Sequence, residues 1–371
     1  MQQDAIANRL GEVRKHRGVG ATELARRVGV SRQTIHAIES GAYVPNTAVA
    51  LRLARELDVP VHELFALRET AAEPETVTAD VLSADPPGAG QPVRVCQIGS
   101  RWVSVPVSAS PYYLPEADGV VREARRGRAD LAMISSEAAV GRRLVLAGCD
   151  PATGLLAHTV ERSSGVELVC AGASSRLALR WLKEGKVHIA GSHLEDPATG
   201  EFNLPFLRTE FPHDEFTVVT FARWEEGLVI APGNPKGIRG VEDIARADVR
   251  FVNREVGSGS RALLDKLLEQ CGARSESVRG YDRVAHGHLE AAYAVLSRDV
   301  DACLATRSAA KTFGLDFVPL RAERYDLVMR KGAADLPVVQ SFLDALQRAS
   351  LRRKLEVLAG YDTSEMGAVI A

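Results

Sequence analysis

Residues 21–41 constrain the fold of this chain most strongly, because two short helical patterns stand on either side of a glycine. Thr22 and Ser31 lie at the two predicted starts, where a hydroxyl can cap free N–H groups. Gly29 allows a tight turn between the patterns. Apolar residues recur at helical spacing on one face of each pattern, at Leu24, Ala25, Val28, Ile35 and Ile38. This combination predicts a helix-turn-helix.

The second helix of the pair carries polar side chains that can reach phosphates or base edges in a DNA major groove. The predicted DNA-contacting residues are Thr22, Arg27, Ser31, Arg32, Gln33, Thr34 and His36. Four further basic residues are candidates for phosphate contacts, namely Arg14, Lys15, Arg17 and Arg26. Since the net charge of the chain is −2, the basic surface must be local. The sequence therefore predicts binding to double-stranded operator DNA.

The segment over residues 5–67 resembles the phage-repressor, or Cro-type, helix-turn-helix family of the xenobiotic-response-element regulators. The resemblance includes Glu39-Ser40-Gly41, which ends the second helix, and the stretch from Pro45 to Ala54 after it. It implies an all-α, repressor-type DNA-binding bundle, which we place at residues 1–68. We expect a homodimer on a two-fold-related operator.

Length and composition assign this module to the smaller part of the chain. With 371 residues, 46% hydrophobic and 25% charged, the chain has room for two or three globular domains. No apolar run approaches the roughly 20 residues that span a bilayer, and the first residues do not read as a signal peptide, so we expect a cytoplasmic location without a membrane role. Five scattered cysteines without a Cys-x-x-Cys pair suggest neither a disulfide framework nor a zinc cluster.

Beyond the first domain the composition and the predicted secondary structure change twice. Residues 69–92 are rich in Pro, Gly, Ala and acid and predict a linker, although residues 77–82 could pair as a strand. Residues 93–143 predict a small β-rich connector, with a hairpin folded at Gly99-Ser100. Residues 144–371 alternate strands and helices, which predicts two α/β lobes around a cleft, with the last helix returning to the first lobe.

Two predicted helix starts in this α/β region suggest an anion site. The first is Asn253-Arg-Glu-Val-Gly-Ser-Gly-Ser-Arg261, which follows a strand; its glycines allow close approach, Ser258 and Ser260 can donate hydrogen bonds, and Arg261 supplies charge. The second is Ser174-Ser175, also after a strand. The first is neither a P-loop nor a dinucleotide fingerprint. We expect the two starts to face each other across the cleft and bind a compact anion.

Several segments of residues 144–358 resemble the type II periplasmic-binding-protein-like domain, in the version that is fused to helix-turn-helix modules or to molybdenum-cofactor enzymes. These segments are Gly148-Cys-Asp-Pro, Ser174-Ser175, Ala190 to Gly200, Gly233-Asn-Pro, Asn253 to Arg261 and Gly314-Leu-Asp-Phe317. The resemblance implies a two-lobed fold with molybdate and tungstate receptors among its relatives. The residues that it places at the ligand are Ser174, Ser175, His193, Asn253, Ser258, Gly259, Ser260, Arg261 and Tyr325.

One segment departs from that family. Trp224-Glu-Glu-Gly227 stands where Arg-Glu-Gln-Gly is expected, and an acidic Glu226 near the cleft would discourage a dianion. Glu225 and Glu226 lie side by side on a predicted strand and should point to opposite faces.

Histidine and serine chemistry give weaker signals. His286-Gly-His288 and His193 could be imagined in a metal site, but their spacing matches no known pattern, and we expect surface or cap positions and no metal. Without a nucleophile elbow or a base next to Ser258 and Ser260, we also expect no enzyme.

Together these features predict a multidomain regulator. An all-α helix-turn-helix bundle would bind operator DNA, and a two-lobed α/β domain would bind a small anionic effector such as molybdate or tungstate, without a cofactor. Two alternatives stay open. The effector could be organic or pterin-like and stack on Trp224 or Tyr325, or the chain could be a molybdenum-cofactor-handling protein that also binds DNA.

Overall fold

The chain divides into two compact units, Met1–Glu73 and Pro74–Ala371. A computed structural model describes residues 6–67, 75–107, 114–136, 143–211 and 216–371. The first unit is helical, and the second contains a β-barrel followed by an α/β domain, which confirms the predicted multidomain fold class. None of the helices within the described ranges is long and apolar enough to cross a membrane.

The helical unit is held together by one apolar core and a short ribbon. Its helices are α1 (Leu10–His16), α2 (Ala21–Val28), α3 (Arg32–Glu39), α4 (Thr47–Leu57) and α5 (Val61–Leu64). Strands β1 (Ile6–Asn8) and β2 (Phe65–Leu67) pair antiparallel. The residues predicted to face inward are all buried, namely Leu24, Ala25, Val28, Ile35 and Ile38. The helical periodicity read from the sequence is therefore confirmed.

The turn and one of the two predicted caps are also confirmed. α2 ends at Gly29, whose φ of 75° is left-handed and suits a residue without Cβ. The Oγ atom of Ser31 accepts the N–H of Thr34 at 3.0 Å and so caps α3. The predicted cap at Thr22 is wrong. α2 begins after Gly20, so Thr22 lies inside the first turn and no side chain caps that end.

Arg14 does not serve as the phosphate contact that the sequence suggested. Its guanidinium is buried, with Nε 2.6 Å from Oε1 of Glu39, and it also donates to the carbonyl of Val19 at 2.8 Å. Hydrogen bonding to Glu39 raises the pKa of Arg14 despite the opposing effect of burial. The pair fastens α1 to the end of α3, so its role is structural.

The β-barrel occupies the start of the second unit. Its strands are β3 (Thr76–Val81), β4 (Pro92–Ile98), β5 (Arg101–Pro106), β6 (Gly119–Arg125) and β7 (Arg128–Met133), closed in the order β3-β5-β4-β6-β7. The hairpin predicted at Gly99-Ser100 joins β4 to β5. β3 lies within the segment predicted as a linker, residues 69–92, so the barrel begins earlier than the predicted connector. Residues 69–74 of that segment are outside the described residues.

The α/β domain is built on one eight-stranded sheet. Its strands are β8 (Arg143–Gly148), β9 (Glu167–Gly172), β10 (Ile189–Ser192), β11 (Phe216–Ile230), β12 (Phe251–Arg254), β13 (Val284–Ala285), β14 (Ala302–Thr306) and β15 (Asp316–Arg330). Its helices are α6 (Thr153–Ser164), α7 (Ser175–Lys183), α8 (Leu204–Glu210), α9 (Val241–Ile244), α10 (Gly259–Gln270), α11 (His288–Leu296), α12 (Arg307–Thr312), α13 (Lys331–Ala334), α14 (Pro337–Leu346) and α15 (Ala349–Lys354).

Two long strands link the two lobes of this sheet. The strand order is β13-β12-β14-β11-β15-β10-β8-β9, so the 15-residue strands β11 and β15 run antiparallel through its centre. On one side β8 is parallel to β9 and β10, and on the other β12 is parallel to β13 and β14. Each lobe has apolar clusters on both faces of its strands. The predicted return of the C-terminal helix is confirmed, since Phe342 of α14 shares a cluster with Leu156 of α6.

A buried ionic network joins the barrel to the first lobe. Asp118, which precedes β6, accepts hydrogen bonds from both terminal nitrogens of Arg143, at 2.7 and 3.0 Å, and from Nε of Arg94 at 2.9 Å. Both arginines also contact Glu167 of β9. Asp118 and Arg143 are almost fully buried. The barrel is thereby fixed against the edge of the sheet, beside the cleft between the lobes.

Candidate functional site

The exposed face of α3 carries the polar side chains predicted to meet DNA. Arg32, Gln33 and His36 are exposed, while Ile35 and Ile38 on the opposite face are buried in the core of the helical unit. Burial of those two isoleucines fixes which way the polar face points. The arrangement presents a guanidinium, an amide and an imidazole side by side, groups that can reach phosphates and base edges.

The other predicted DNA-contacting residues have more internal partners. The Oγ atoms of Ser31 and Thr34 lie 2.9 Å apart, and both residues belong to the cap of α3. Arg27, which is exposed, donates to Glu23 at 2.8 Å, as does Arg26. Hydrogen bonds from these two arginines lower the pKa of Glu23 to about 2. Thr22 is exposed in the first turn of α2.

A cavity of about 740 Å³ lies at the cleft of the second unit. The lobes contribute the loop after β8, at Gly148 to Asp150, the start of α7 at Ser174, and the segment from His286 to Glu290. The barrel contributes Leu82 to Asp85 and Val105 to Val107. The sequence had left the role of the barrel open, and the structure makes it one wall of the cleft.

The two helix starts predicted to face each other do so. Ser174 and Ser258 cap α7 and α10, and the backbone N–H of Arg176 in α7 donates to the carbonyl of Gly257 at 3.3 Å. Gly259 packs against the ring of His193, since a Cβ atom there would lie 2.5 Å from Cε1 of that ring. Glycine is therefore needed at this position for the close approach of the lobes.

Ser175 and Ser260 are fully buried beneath these helix starts. The Oγ atom of Ser175 accepts the N–H of His193 at 3.2 Å. Ser260 lies 3.5 Å from a terminal nitrogen of Arg254. Both serines therefore hold buried residues in place beneath the two helix starts.

The side chains of two predicted ligand residues, Asn253 and Arg261, contact Tyr281 on a neighbouring loop. Arg261 packs over the ring of Tyr281, with 4.7 Å from its guanidinium carbon to the ring centre, and donates to the carbonyl of Arg254. Asn253 donates to the carbonyl of Tyr281 at 3.2 Å. The cation that is buried here is Arg254, 1% exposed, which pairs with Glu255 at 2.8 Å. Sequence reasoning missed Arg254, although it lies in the same motif.

His193 and Tyr325 are both buried beneath the cavity wall, next to Gly148 and Cys149. The hydroxyl oxygen of Tyr325 accepts the N–H of Cys149 at 3.3 Å, and its ring packs on Trp224 with ring centres 4.7 Å apart. Gly148 and Gly191 leave room for that hydroxyl, because a Cβ atom on Gly191 would lie 1.9 Å from it.

Five side chains from distant parts of the sequence form what we call the buried cluster, namely Cys149, His193, Glu226, His288 and Glu323. His193 stands at its centre. Its Nε2 atom is 3.4 Å from Sγ of Cys149, and its Nδ1 atom is 2.6 Å from Glu323 and 3.8 Å from Glu226. Nδ1 of His288 is 3.8 Å from Glu226. The cluster thus links both lobes through β8, β11, β15 and α11.

Several polar atoms of this cluster lack ordinary hydrogen bonds. Within the described part of the chain, both ring nitrogens of His288 and both carboxylate oxygens of Glu226 are buried without a hydrogen-bond partner. Buried polar atoms in native proteins are nearly always paired. Unpaired groups at the base of a cleft are therefore expected to meet a ligand.

Burial dominates the electrostatics of the cluster. It raises the pKa of both Glu226 and Glu323, and mutual repulsion adds to the effect at Glu226. It lowers the pKa of His288, where the charge of Arg254 acts in the same direction. For His193, burial alone would lower the pKa, but Cys149 and Glu226 outweigh it and raise the pKa. The cluster can therefore accept either a cation or protons.

Two of the sequence expectations about these residues are settled. Glu226 is fully buried while Glu225 on the same strand is partly exposed beside Arg307, so the two carboxylates do point to opposite faces. The expectation of a surface or cap position is wrong for His288, which is 1% exposed at the start of α11; His286 is exposed. Only tertiary contacts bring His288 to His193.

Comparison with known families matches both units. Residues 5–67 match the helix-turn-helix domain, and residues 156–347 match the PBP superfamily domain. An HTH-type transcriptional regulator of Methanothermobacter thermautotrophicus is 46% identical over 63 residues, which are 17% of this chain and 91% of that protein. The N-terminal helix-turn-helix is confirmed as a domain found in transcription regulators.

The second unit has its own relatives. The uncharacterized protein YvgK of Bacillus subtilis is 36% identical over 187 residues, which are 50% of this chain and 60% of that protein, so the chain spans less than two thirds of its length. A phosphate ABC transporter substrate-binding protein from Clostridium perfringens, solved with bound phosphate, matches 59% of this chain and 98% of its own, with 14% identity and a TM-score of 0.45. Similarity at that level supports no conclusion about a ligand. The PBP superfamily match covers just over half of the chain, and the chain therefore belongs to that family.

Proposed function

We propose that this chain is a one-component transcription regulator that binds operator DNA through α3 and a small effector in the cleft of its second unit. The observation that carries the proposal is the combination, in one chain, of an exposed polar recognition face with a cleft whose base contains unpartnered polar atoms. Binding of an effector that prefers one arrangement of the lobes would shift the DNA-binding equilibrium. By linkage, DNA would change the effector affinity by the same factor.

The DNA half of the proposal depends on the exposed face of α3. Gln33→Ala or Arg32→Ala should weaken specific operator binding by roughly 1–3 kcal/mol where a bidentate base contact is lost. Arg55→Ala is the matched control, since it removes an exposed arginine from α4. The operator would be selected from random duplexes with the full chain, and affinities would be measured by fluorescence anisotropy at fixed salt. Unchanged affinity in both α3 variants would refute the assignment of the recognition helix.

We also propose that the regulator binds as a homodimer to a two-fold-related operator. The argument is general, because helix-turn-helix regulators commonly read two half-sites about one helical turn apart. Sedimentation of the chain with and without the selected operator would measure the stoichiometry. One chain per operator, together with a non-palindromic selected sequence, would contradict the proposal.

An oxyanion such as molybdate or tungstate is the effector that we propose. Support comes from the meeting of the α7 and α10 starts and from the buried guanidinium of Arg254. The organic alternative has less support, because the rings of Trp224 and Tyr325 are buried against each other.

Titration calorimetry of the full chain with molybdate, tungstate, sulfate and phosphate tests the effector. Heat with at least one oxyanion, together with a change in operator affinity when it is present, is the expected result. Arg254→Gln should weaken that binding at least tenfold, whereas Arg261→Ala, the control that removes the guanidinium packed on Tyr281, should leave it nearly unchanged. The absence of heat with all four ions would exclude the oxyanion but leave the DNA-binding assignment intact.

A further inference from the structure

The buried cluster contains a set of side chains that the proposed oxyanion does not by itself explain. Cys149, His193 and His288 each offer one ligand atom, and these atoms lie within 4.8 Å of one another. They come from the loop after β8, the loop after β10 and the start of α11. One thiol and two imidazoles are the ligand types that zinc and its neighbours in the first transition row prefer.

The distances within this set match a tetrahedral metal site. With metal–sulfur and metal–nitrogen bonds of about 2.3 and 2.1 Å, a tetrahedral angle separates the two ligand atoms by about 3.6 Å. Sγ of Cys149 and Nε2 of His193 are 3.4 Å apart. The pair can therefore bind one ion with little rearrangement.

The outer contacts of the two histidines also fit a metal site. A metal-bound histidine usually donates its other ring N–H to a carboxylate, which fixes the orientation of the ring. Nδ1 of His193 is 2.6 Å from Glu323, so Nε2 is left facing Cys149. Nδ1 of His288 is 3.8 Å from Glu226. The two buried carboxylates would thus serve as outer partners and would balance the charge of a divalent ion.

The unpartnered nitrogens of His288 favour a metal over a purely structural cluster. Both are buried without a hydrogen bond among the residues that the structure describes, which is costly for a core histidine. A metal ion would provide the missing partner of one ring nitrogen. Cys149 and His288 also line the 740 Å³ cavity, so the ion would be reachable from the cleft.

We propose that Cys149, His193 and His288 form a binding site for a late first-row transition-metal ion of the Zn²⁺ type. The fourth coordination position faces the cavity and is open to water or to the oxyanion of the proposed function. The metal site rests on the proposed function in two respects only: the oxyanion as fourth ligand, and the effect of metal binding on DNA affinity.

Cobalt substitution in the full-length chain tests the site. After dialysis against a chelator, one equivalent of Co²⁺ should produce a thiolate-to-cobalt charge-transfer band, and Zn²⁺ should abolish the band while Mg²⁺ and Ca²⁺ should not. Cys149→Ser should remove the band, whereas Cys271→Ser, at an exposed cysteine, should retain it. Glu323→Gln should weaken Zn²⁺ binding 10- to 100-fold, as expected for an outer partner. His158→Gln, at an exposed histidine on α6, is its control.

Two results would overturn the proposal. If the chelated wild-type chain binds neither Co²⁺ nor Zn²⁺, the site does not exist. Equal alkylation of Cys149 with and without Zn²⁺, at a rate that falls in His193→Gln, would instead assign Cys149 and His193 as a thiol–base pair. Operator affinity and the heat of oxyanion binding would be measured on the same chelated protein. If these persist while no metal binds, the metal site has failed and the proposed function has not.

Discussion

Removing the charge of Asp118 should loosen the barrel from the first lobe. In Asp118→Asn the side-chain shape is kept, but the buried guanidinium of Arg143 retains only Glu167 as counter-charge, and the partly buried guanidinium of Arg94 retains Glu167 and the exposed Glu116. The carboxylate accepts three hydrogen bonds from these arginines and one from the N–H of Val95. Nearly all of it is buried, with a side chain 2% exposed. Few positions in the described chain concentrate so many charged contacts.

The magnitude follows from the burial of the network. Breaking a buried ion pair by removing one partner costs about 3–5 kcal/mol. We expect the lower end, about 3 kcal/mol, because the side chains of Arg94 and Glu167 are 18% and 29% exposed and can draw in water. For a domain of this size that corresponds to a fall in Tm of roughly 6 to 10 °C. Glu116→Gln is the matched control, since Glu116 contacts the same Arg94 at 3.7 Å but is 80% exposed, and it should change Tm by about 1 °C or less.

The pH dependence gives a second measurement of the same effect. Burial alone would raise the pKa of Asp118, but hydrogen bonds from Arg143, the Val95 N–H and Arg94 outweigh it and hold the pKa below its ordinary value. The contribution is therefore complete above the ordinary pKa of about 3.9 and is lost as the pH falls through the folded-state pKa. Calorimetric scans of the full chain should show the difference between wild type and Asp118→Asn narrowing below about pH 4. Equal Tm values for Asp118→Asn and Glu116→Gln at neutral pH would refute the reasoning.

Two further predictions concern the strands beneath the cleft. Burial lowers the pKa of His188 to about 4, below the ordinary value of about 6.5 that the unfolded chain keeps, and its Nδ1 accepts the N–H of Val145 at 3.0 Å. As the pH falls from 6.5 to 4 the unfolded state binds the proton first, so the folded state should lose about 3 kcal/mol of stability. Chemical denaturation should detect this loss in the wild type and not in His188→Gln. Gly191→Ala would place a Cβ atom 1.9 Å from the hydroxyl of Tyr325 and should lower the free energy of unfolding by about 1–3 kcal/mol or more. Gly154→Ala is the control, because its Cβ would point into open space, and it should not destabilise the chain. Equal unfolding midpoints for the two variants would contradict the packing argument.

Local signals in the sequence were sufficient for much of the fold. The Ser31 cap, the left-handed Gly29 and the hairpin at Gly99 each depend on atoms within a few residues, and all three were predicted correctly. Thr22 was misassigned because a hydroxyl near a helix start looks the same at the cap as in the first turn, and Gly20 took the cap position.

The closure of the barrel was not predictable in this way. β3 pairs with β7, about 50 residues later in the chain, and with β5, and only these long-range ladders show that the segment is a barrel strand rather than part of a linker. The position of the barrel beside the cleft depends on Asp118 and its arginines, which no local pattern connects.

The candidate site shows the same division. The helix starts at Ser174 and Ser258 were found from sequence because capping is a local interaction, and the presence of two such starts, each after a strand, led to the prediction that they face each other. The choice of Arg254 over Arg261 as the buried cation was decided by side-chain direction, because one arginine packs inward from β12 and the other packs on Tyr281.

The sequence by itself determined that the chain has a helix-turn-helix with a defined polar face and a two-lobed α/β domain, because periodicity, caps and turns are set by neighbouring residues. Only the tertiary structure decided what lies at the base of the cleft. Cys149, His193, Glu226, His288 and Glu323 are separated by up to 174 residues, and they become neighbours because β11 and β15 run through both lobes and bring the ends of their loops together.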